Sequence, residues 1–267
     1  MSSTSSLRLQ IEGDLATLWL DRPEKQNAMT FEMWAALPSL LAEVEQSTAR
    51  VLVIRGSGPH FCAGADISTI GEGLADAGAD GYRSVNEAAE EALACVQRPT
   101  LAVIDGNCIG GGCQLITACD LRLATTDARF GITPAKLGIT YPANAILRTA
   151  DLIGTGATKR LLYTSDLIDA AEAHRIGLVD VLADPASLDE TAAAICATLC
   201  SRSLVTQLAT KDLLHARLIH TQEMNAVIGH WEQRARQGED LIEGLAAFAD
   251  RRSPEFQWHP EGQPGSD

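Results

Sequence analysis

The repeated order of apolar strand, small-residue turn and helix constrains this chain more than any other feature. Residues 100–104 form a short apolar, β-prone run, Gly110-Gly111-Gly112 a glycine turn, the residues to about Ala118 a helix, and residues 121–124 a further strand. The order also occurs earlier, where Val51-Leu52-Val53-Ile54 reads as a buried strand, residues 59–66 as a loop and 84–97 as a helical run. Ahead of both, residues 7–11 and 15–20 flank the turn composition Glu12-Gly13-Asp14 and read as a hairpin. Thr30 stands as the N-cap of a helix carrying Met33, Trp34, Leu37, Leu40, Leu41 and Val44. Beyond Thr155 the pattern is mostly helical, with amphipathic segments near 155–163, 169–175, 186–200, 203–219 and 221–250. Strands first and helices last predict a sheet-based α/β core followed by a helical part.

A length of 267 residues suits one compact unit with a helical appendage, divided here into a core over 1–200 and a helical C-terminal region over 201–267. Hydrophobic residues at 46% and charged residues at 21% exclude a disordered chain. The net charge of -14 opposes binding to nucleic acid or anionic lipid. The longest uncharged run, 106–119, is shorter than the roughly 20 residues of a membrane-spanning helix, and the polar start with Arg8 and Glu12 offers no secretion signal. These features point to the cytoplasm, with no membrane partner. Seven cysteines, an odd number without a CxxC pair, read as reduced thiols, and the histidines show no metal-ligand spacing.

Two segments are candidates for chemistry. In His60-Phe61-Cys62-Ala63-Gly64-Ala65-Asp66-Ile67 the small residues let backbone come close to a ligand, with Asp66 a possible cap for the next helix, although an ordinary tight loop has the same composition. In Asn107-Cys108-Ile109-Gly110-Gly111-Gly112-Cys113-Gln114-Leu115 three glycines precede a helix, whose free N–H groups and dipole favour negative charge. Close strand–helix packing would select the same glycines.

Together these segments resemble the crotonase (enoyl-CoA hydratase/isomerase) superfamily, which has such a loop and such a glycine turn one helix apart. Leu20-Asp21-Arg22-Pro23-Glu24-Lys25-Gln26-Asn27-Ala28-Met29 looks like the family's N-terminal signature, and residues 164–179 resemble its segment near the oligomer interface. The resemblance implies a spiral of ββα units with a helical C-terminal trimerisation region, a homotrimer or dimer of trimers, and an acyl-CoA thioester substrate. Coenzyme A would enter as part of that substrate, with no other cofactor and no metal. By position, the N–H groups of Ala65 and Gly111 become the oxyanion hole. Lys25, Ala28, Ala63, Asp66 and Ile67 line the carrier, and Phe256, in the terminal segment with Arg251 and Arg252, reaches toward a ligand.

The chain departs from the family's hydratases where two glutamates would manage water and proton, because Gln114 occupies the first position and Pro134 the second. Positioned acid–base groups contribute about 10²–10⁴-fold, so hydration by that route is disfavoured. Thr133-Pro134, Leu137-Gly138 and Tyr141 resemble instead the superfamily's acyl-CoA decarboxylases, which implies that Tyr141 orients a substrate carboxylate with Gln114 as a hydrogen-bonding neighbour. Those decarboxylases can keep a glutamate where Gln114 stands and carry a histidine at Ala65, so Tyr141 as no more than a pocket wall, isomerisation, hydration by another acid or base, or binding without turnover stay open. Glu72, Glu87, Glu90 and Glu91, on or before the helix bordering family sites, are the acid–base candidates for such an isomerase or hydratase, with most of them expected to face water and His60 to lie at the surface.

Overall fold

The structure is a computed structural model that describes residues 2–4, 6–66, 78–216, 239–252 and the single positions 233 and 254. A main sheet runs in the order β1 (Ser2–Thr4), β2 (Leu7–Glu12), β3 (Leu15–Leu20), β4 (Val51–Gly56), β5 (Thr100–Ile104), β7 (Leu121–Thr125), β10 (Val181–Ala183). Its first three strands pair antiparallel through the expected hairpin, and from β3 onward every pair is parallel. A second sheet of β6 (Asn107–Ile109), β8 (Arg129–Gly131) and β9 (Ile168–Asp169), absent from the sequence reading, lies beside the glycine turn.

Parallel strands covered on both faces read as continuous apolar runs, as residues 51–54 of β4 and 101–104 of β5 do. Alternate residues then divide between two cores. Leu52, Ile54, Ala102 and Ile104 pack with α1 (Phe31–Glu45), α2 (Gly78–Cys95) and α3 (Gly111–Ala118), while Val51, Val53, Leu101 and Val103 face Leu188, Ala192 and Cys196 of α6 (Leu188–Cys200). The Thr30 hydroxyl accepts from the Met33 N–H at 3.2 Å, and all six apolar residues assigned to the α1 face are buried.

The helical part is α4 (Ala143–Thr164), α5 (Ala170–Arg175), α6, α7 (Leu204–Ala216) and α8 (Glu239–Ala249). Helix α4 begins well before residue 155 and is broken at Gly154, whose φ of 78° and ψ of 156° are not helical. Gly244 of α8 sits directly on the Leu137 backbone, where a Cβ would not fit, so the C-terminal helix rests on the turn Pro134–Leu137 of its own chain. No single helix among the described residues is long and apolar enough to cross a membrane.

Candidate active site

The loop after β4 reaches residues 61–66 already fastened on two sides. On one side the signature loop runs beside it like a short parallel strand: the Ala63 N–H donates to Gln26 at 2.9 Å, Met29 to Gly64 at 2.8 Å, and Asp66 to Met29 at 2.8 Å. On the other, Cys62 donates to Asn107 at 2.9 Å and Ile109 to Cys62 at 2.8 Å, which joins the loop to β6 and the glycine turn. Side chains complete the frame. Asn27 is fully buried at a φ of 57°, takes the Arg22 N–H on Oδ1, and donates through Nδ2 to the carbonyls of Ser57 and His60. The Arg22 guanidinium donates to the Ala28 carbonyl at 2.7 Å and pairs with Asp66 at 3.0 Å.

The two oxyanion candidates meet inside this frame. A Cβ placed on Gly111 would lie 3.6 Å from the Ala65 nitrogen, and one on Gly64 would lie 3.9 Å from the Gly111 nitrogen. Among the described residues neither the Ala65 nor the Gly111 N–H donates to a loop carbonyl. Gly110 has a φ of 49° and provides no side-chain cap, so among the described residues α3 starts with donors left unclaimed. The other end of each amide is held: the Gly64 carbonyl takes the Met29 N–H, and the Gly110 carbonyl takes the Gln114 N–H at 3.0 Å and the Tyr141 hydroxyl at 2.9 Å. Trp34 borders Gly111, its Cζ2 being 3.3 Å from the site of a Cβ there, and its buried indole N–H has no partner among the described residues.

Tyr141 therefore stands where its one proton is given to the Gly110 carbonyl, leaving none for a substrate carboxylate while that bond lasts. Burial lifts its phenol well above the usual range, so it is a neutral donor. Gln114 is also engaged. Its Nε2 donates to Asn86 at 2.6 Å and Glu90 at 2.8 Å, and its Oε1 accepts from Asn86 at 3.2 Å. Both amide protons are spent inside the protein.

Glu90 corrects the expectation that the α2 glutamates face water, for it is wholly buried. Arg148 makes this tolerable by pairing with Glu90 at 2.6 Å and with the half-exposed Glu91 at 2.7 Å, because a buried charge requires a counter-charge. Burial still pushes the Glu90 carboxyl up, against the opposing pull of Arg148 and Gln114. Sequence reasoning missed Asn27, Asn86 and Arg148. The signal for Asn86 and Glu90 was helical spacing, since both share a stripe with Ala89 and Leu93.

Of the other assigned positions, Lys25 is exposed, while Ala28, Ala63 and Asp66 are partly buried along the paired loops. Ile67, Glu72 and Phe256 lie outside the described residues, and Asp66 serves Arg22. Pro134 is buried at the start of the turn beneath α8. His60 is half-buried and accepts the Asn107 N–H on Nδ1 at 3.2 Å, and Arg252 is bound by both nitrogens of its fork to Glu243. The thiols of Cys62 and Cys119 are pushed up to about 12 by burial, which makes them inert packing groups.

A sequence model of the family described as enoyl-CoA hydratase/isomerase matches residues 10–259. The crotonyl-CoA hydratase of Syntrophomonas wolfei is 30% identical over 93% of this chain and 96% of its own length. The crystal structure of an enoyl-CoA hydratase/isomerase family protein from Hyphomonas neptunium superposes with a TM-score of 0.77 at 35% identity, over 95% of this chain and 98% of that one. A methylmalonyl-CoA decarboxylase superposes with a TM-score of 0.85 over 96% of this chain and 100% of its own, at 20% identity, a likeness of fold alone. With the paired loops, the glycine turn and the sheet order all in place, the chain has the crotonase fold and belongs to the enoyl-CoA hydratase/isomerase family.

Proposed function

We propose that this chain is an acyl-CoA enzyme that stabilises a thioester enolate between the N–H groups of Ala65 and Gly111, and that its reaction is decarboxylation of a malonyl-type acyl-CoA. One observation carries the reading. Beside two unclaimed amides, the positions that would hold hydratase carboxylates are filled by a carboxamide spent on Asn86 and Glu90 and by a buried proline.

Neither Gln114 nor Pro134 offers a carboxylate to remove an α-proton, and decarboxylation does not need one. The bond between Cα and the carboxylate carbon breaks, CO₂ leaves, and the electron pair moves through Cα onto the thioester oxygen. A proton from water then returns to Cα and yields the shorter acyl-CoA. Preorganised donors favour the enolate over the ground state, and one donor is worth about 2.7–4 kcal/mol. In this reading the carrier is bound by Lys25, Ala28, Ala63, Asp66 and Ile67, with Phe256 of the terminal segment as a further contact and a homotrimer as the assembly.

A hydratase or isomerase is the second reading, favoured by the name of the Syntrophomonas wolfei relative. Incubation with malonyl-, methylmalonyl- and ethylmalonyl-CoA, followed as CO₂ release beside hydration of crotonyl-CoA, decides between them. Rapid hydration without CO₂ release rejects decarboxylation. Tight coenzyme A binding without turnover of any substrate in the panel leaves a binding protein.

A further inference from the structure

We propose that Tyr141 is a positioning residue of the oxyanion site that acts through a peptide bond, its hydroxyl fixing and polarising the amide that presents the Gly111 N–H. The inference rests on the reading that Ala65 and Gly111 hold a thioester oxygen, and it deepens that reading by naming what sets the strength of one donor.

The Gly110 carbonyl and the Gly111 N–H are opposite ends of one planar, resonance-coupled unit. A hydrogen bond accepted at the oxygen draws electron density toward it and leaves the N–H more positive, a cooperative gain of about 10–30% per bond. The Gly110 oxygen accepts two such bonds, at 2.9 Å from Tyr141 and 3.0 Å from the Gln114 N–H. Tyr141 is only 8% exposed, so little water competes for that oxygen. The bond also braces the turn, in which Gly110 holds a φ of 49° and a ψ of -107°.

The Ala65 side of the site shows what is particular about Tyr141. The Gly64 carbonyl, at the far end of the Ala65 amide, is backed by the main-chain N–H of Met29 at 2.8 Å. The Cys62 thiol also donates to that carbonyl, at 3.6 Å, but a thiol is a weak donor; among the described residues the stronger hydroxyl bond falls to the Gly111 amide, and a substitution can remove it while the Gln114 N–H keeps the Gly110 carbonyl partnered.

A role through the peptide differs measurably from a role in gripping a substrate carboxylate, because it acts on ligands that carry none. The test uses the full chain with butyryl-CoA labelled with carbon-13 at the thioester carbonyl, observed by infrared difference spectroscopy. In the wild type the bound carbonyl band should move to lower frequency than in water. Tyr141→Phe should reduce that displacement and lower kcat for decarboxylation by about 3- to 10-fold with KM little changed. Placing 3-fluorotyrosine at position 141, a stronger donor, should enlarge the displacement, which keeps the test decisive if the phenylalanine variant folds poorly. An equal displacement in wild type and both variants overturns the role of Tyr141 alone. No displacement in the wild type overturns the oxyanion reading, and this inference with it.

Discussion

The carboxamide of Gln114 donates to the buried carboxylate of Glu90 across 2.8 Å, fastening α3 to α2 one helical turn beyond the Gly111 amide. Gln114→Glu restores the carboxylate that the family resemblance implies at this position, but sets it against Glu90. Two carboxylates at that distance cannot both ionise without cost. The variant should lose about 1–3 kcal/mol of stability at pH 8, from the broken amide network and the repulsion, and less at pH 5, where one shared proton restores a donor. Thermal melts at the two values check the sign. Crotonyl-CoA hydration should not reach hydratase levels, because position 134 still offers no second carboxylate.

Glu90 itself should leave a mark on the pH dependence of stability. Burial raises its folded pKa above the ordinary 4.5, so between 4.5 and the folded value the folded protein holds a proton that the unfolded chain has released. Its contribution is then largest below pH 4.5 and declines as pH rises through the folded value. Subtracting the urea stability of Glu90→Gln from that of wild type between pH 4 and 7.5 isolates the effect, and the difference should fall with rising pH. A difference that grows would mean that Arg148 outweighs burial.

Arg22 joins the signature loop to the oxyanion loop through two separate acceptors, the Ala28 carbonyl and the Asp66 carboxylate. A lysine ammonium is a point charge and does not reproduce a planar fork. Arg22→Lys should cost about 1–2 kcal/mol in chemical denaturation and lower kcat for the native reaction, with a larger loss for Arg22→Ala. Equal activity in all three proteins would show that the Ala65 amide is placed without this link.

Gly111 is the first residue of α3, the helical position at which proline is best tolerated. Gly111→Pro therefore removes one donor at modest structural cost, set mainly by the Trp34 ring, 3.3 Å from the new Cβ. Turnover should fall about 10²–10³-fold while coenzyme A binding, measured by calorimetry, changes little.

Much of the main sheet and α1 was legible because period-two and period-3.6 patterns report which face of an element is buried. The six apolar residues of α1 and the hairpin at Gly13 are examples. The second sheet was not legible, since strands of two or three residues are too short to carry a period. The Ala65 and Gly111 amides were assigned by position from the family resemblance, and the structure sets their backbones side by side. What holds them lay hidden in long-range polar contacts: Asn27 reaches His60, 33 residues away, and Arg148 reaches Glu90, 58 residues away. Composition also misjudged Glu90, because a glutamate on a helix looks solvated until the arginine that neutralises it is found on another helix.

The backing of each amide through its carbonyl means that an alanine scan of this protein would invert the apparent map of importance. Ala65 is already alanine and would yield no signal, although its N–H is half of the proposed site. Asn27, Arg22 and Tyr141, which hold the backbone of the paired loops and the glycine turn through its carbonyls, would stand out instead. The residues that score highest would be the scaffolding, and the Ala65 amide of the proposed site would pass unnoticed.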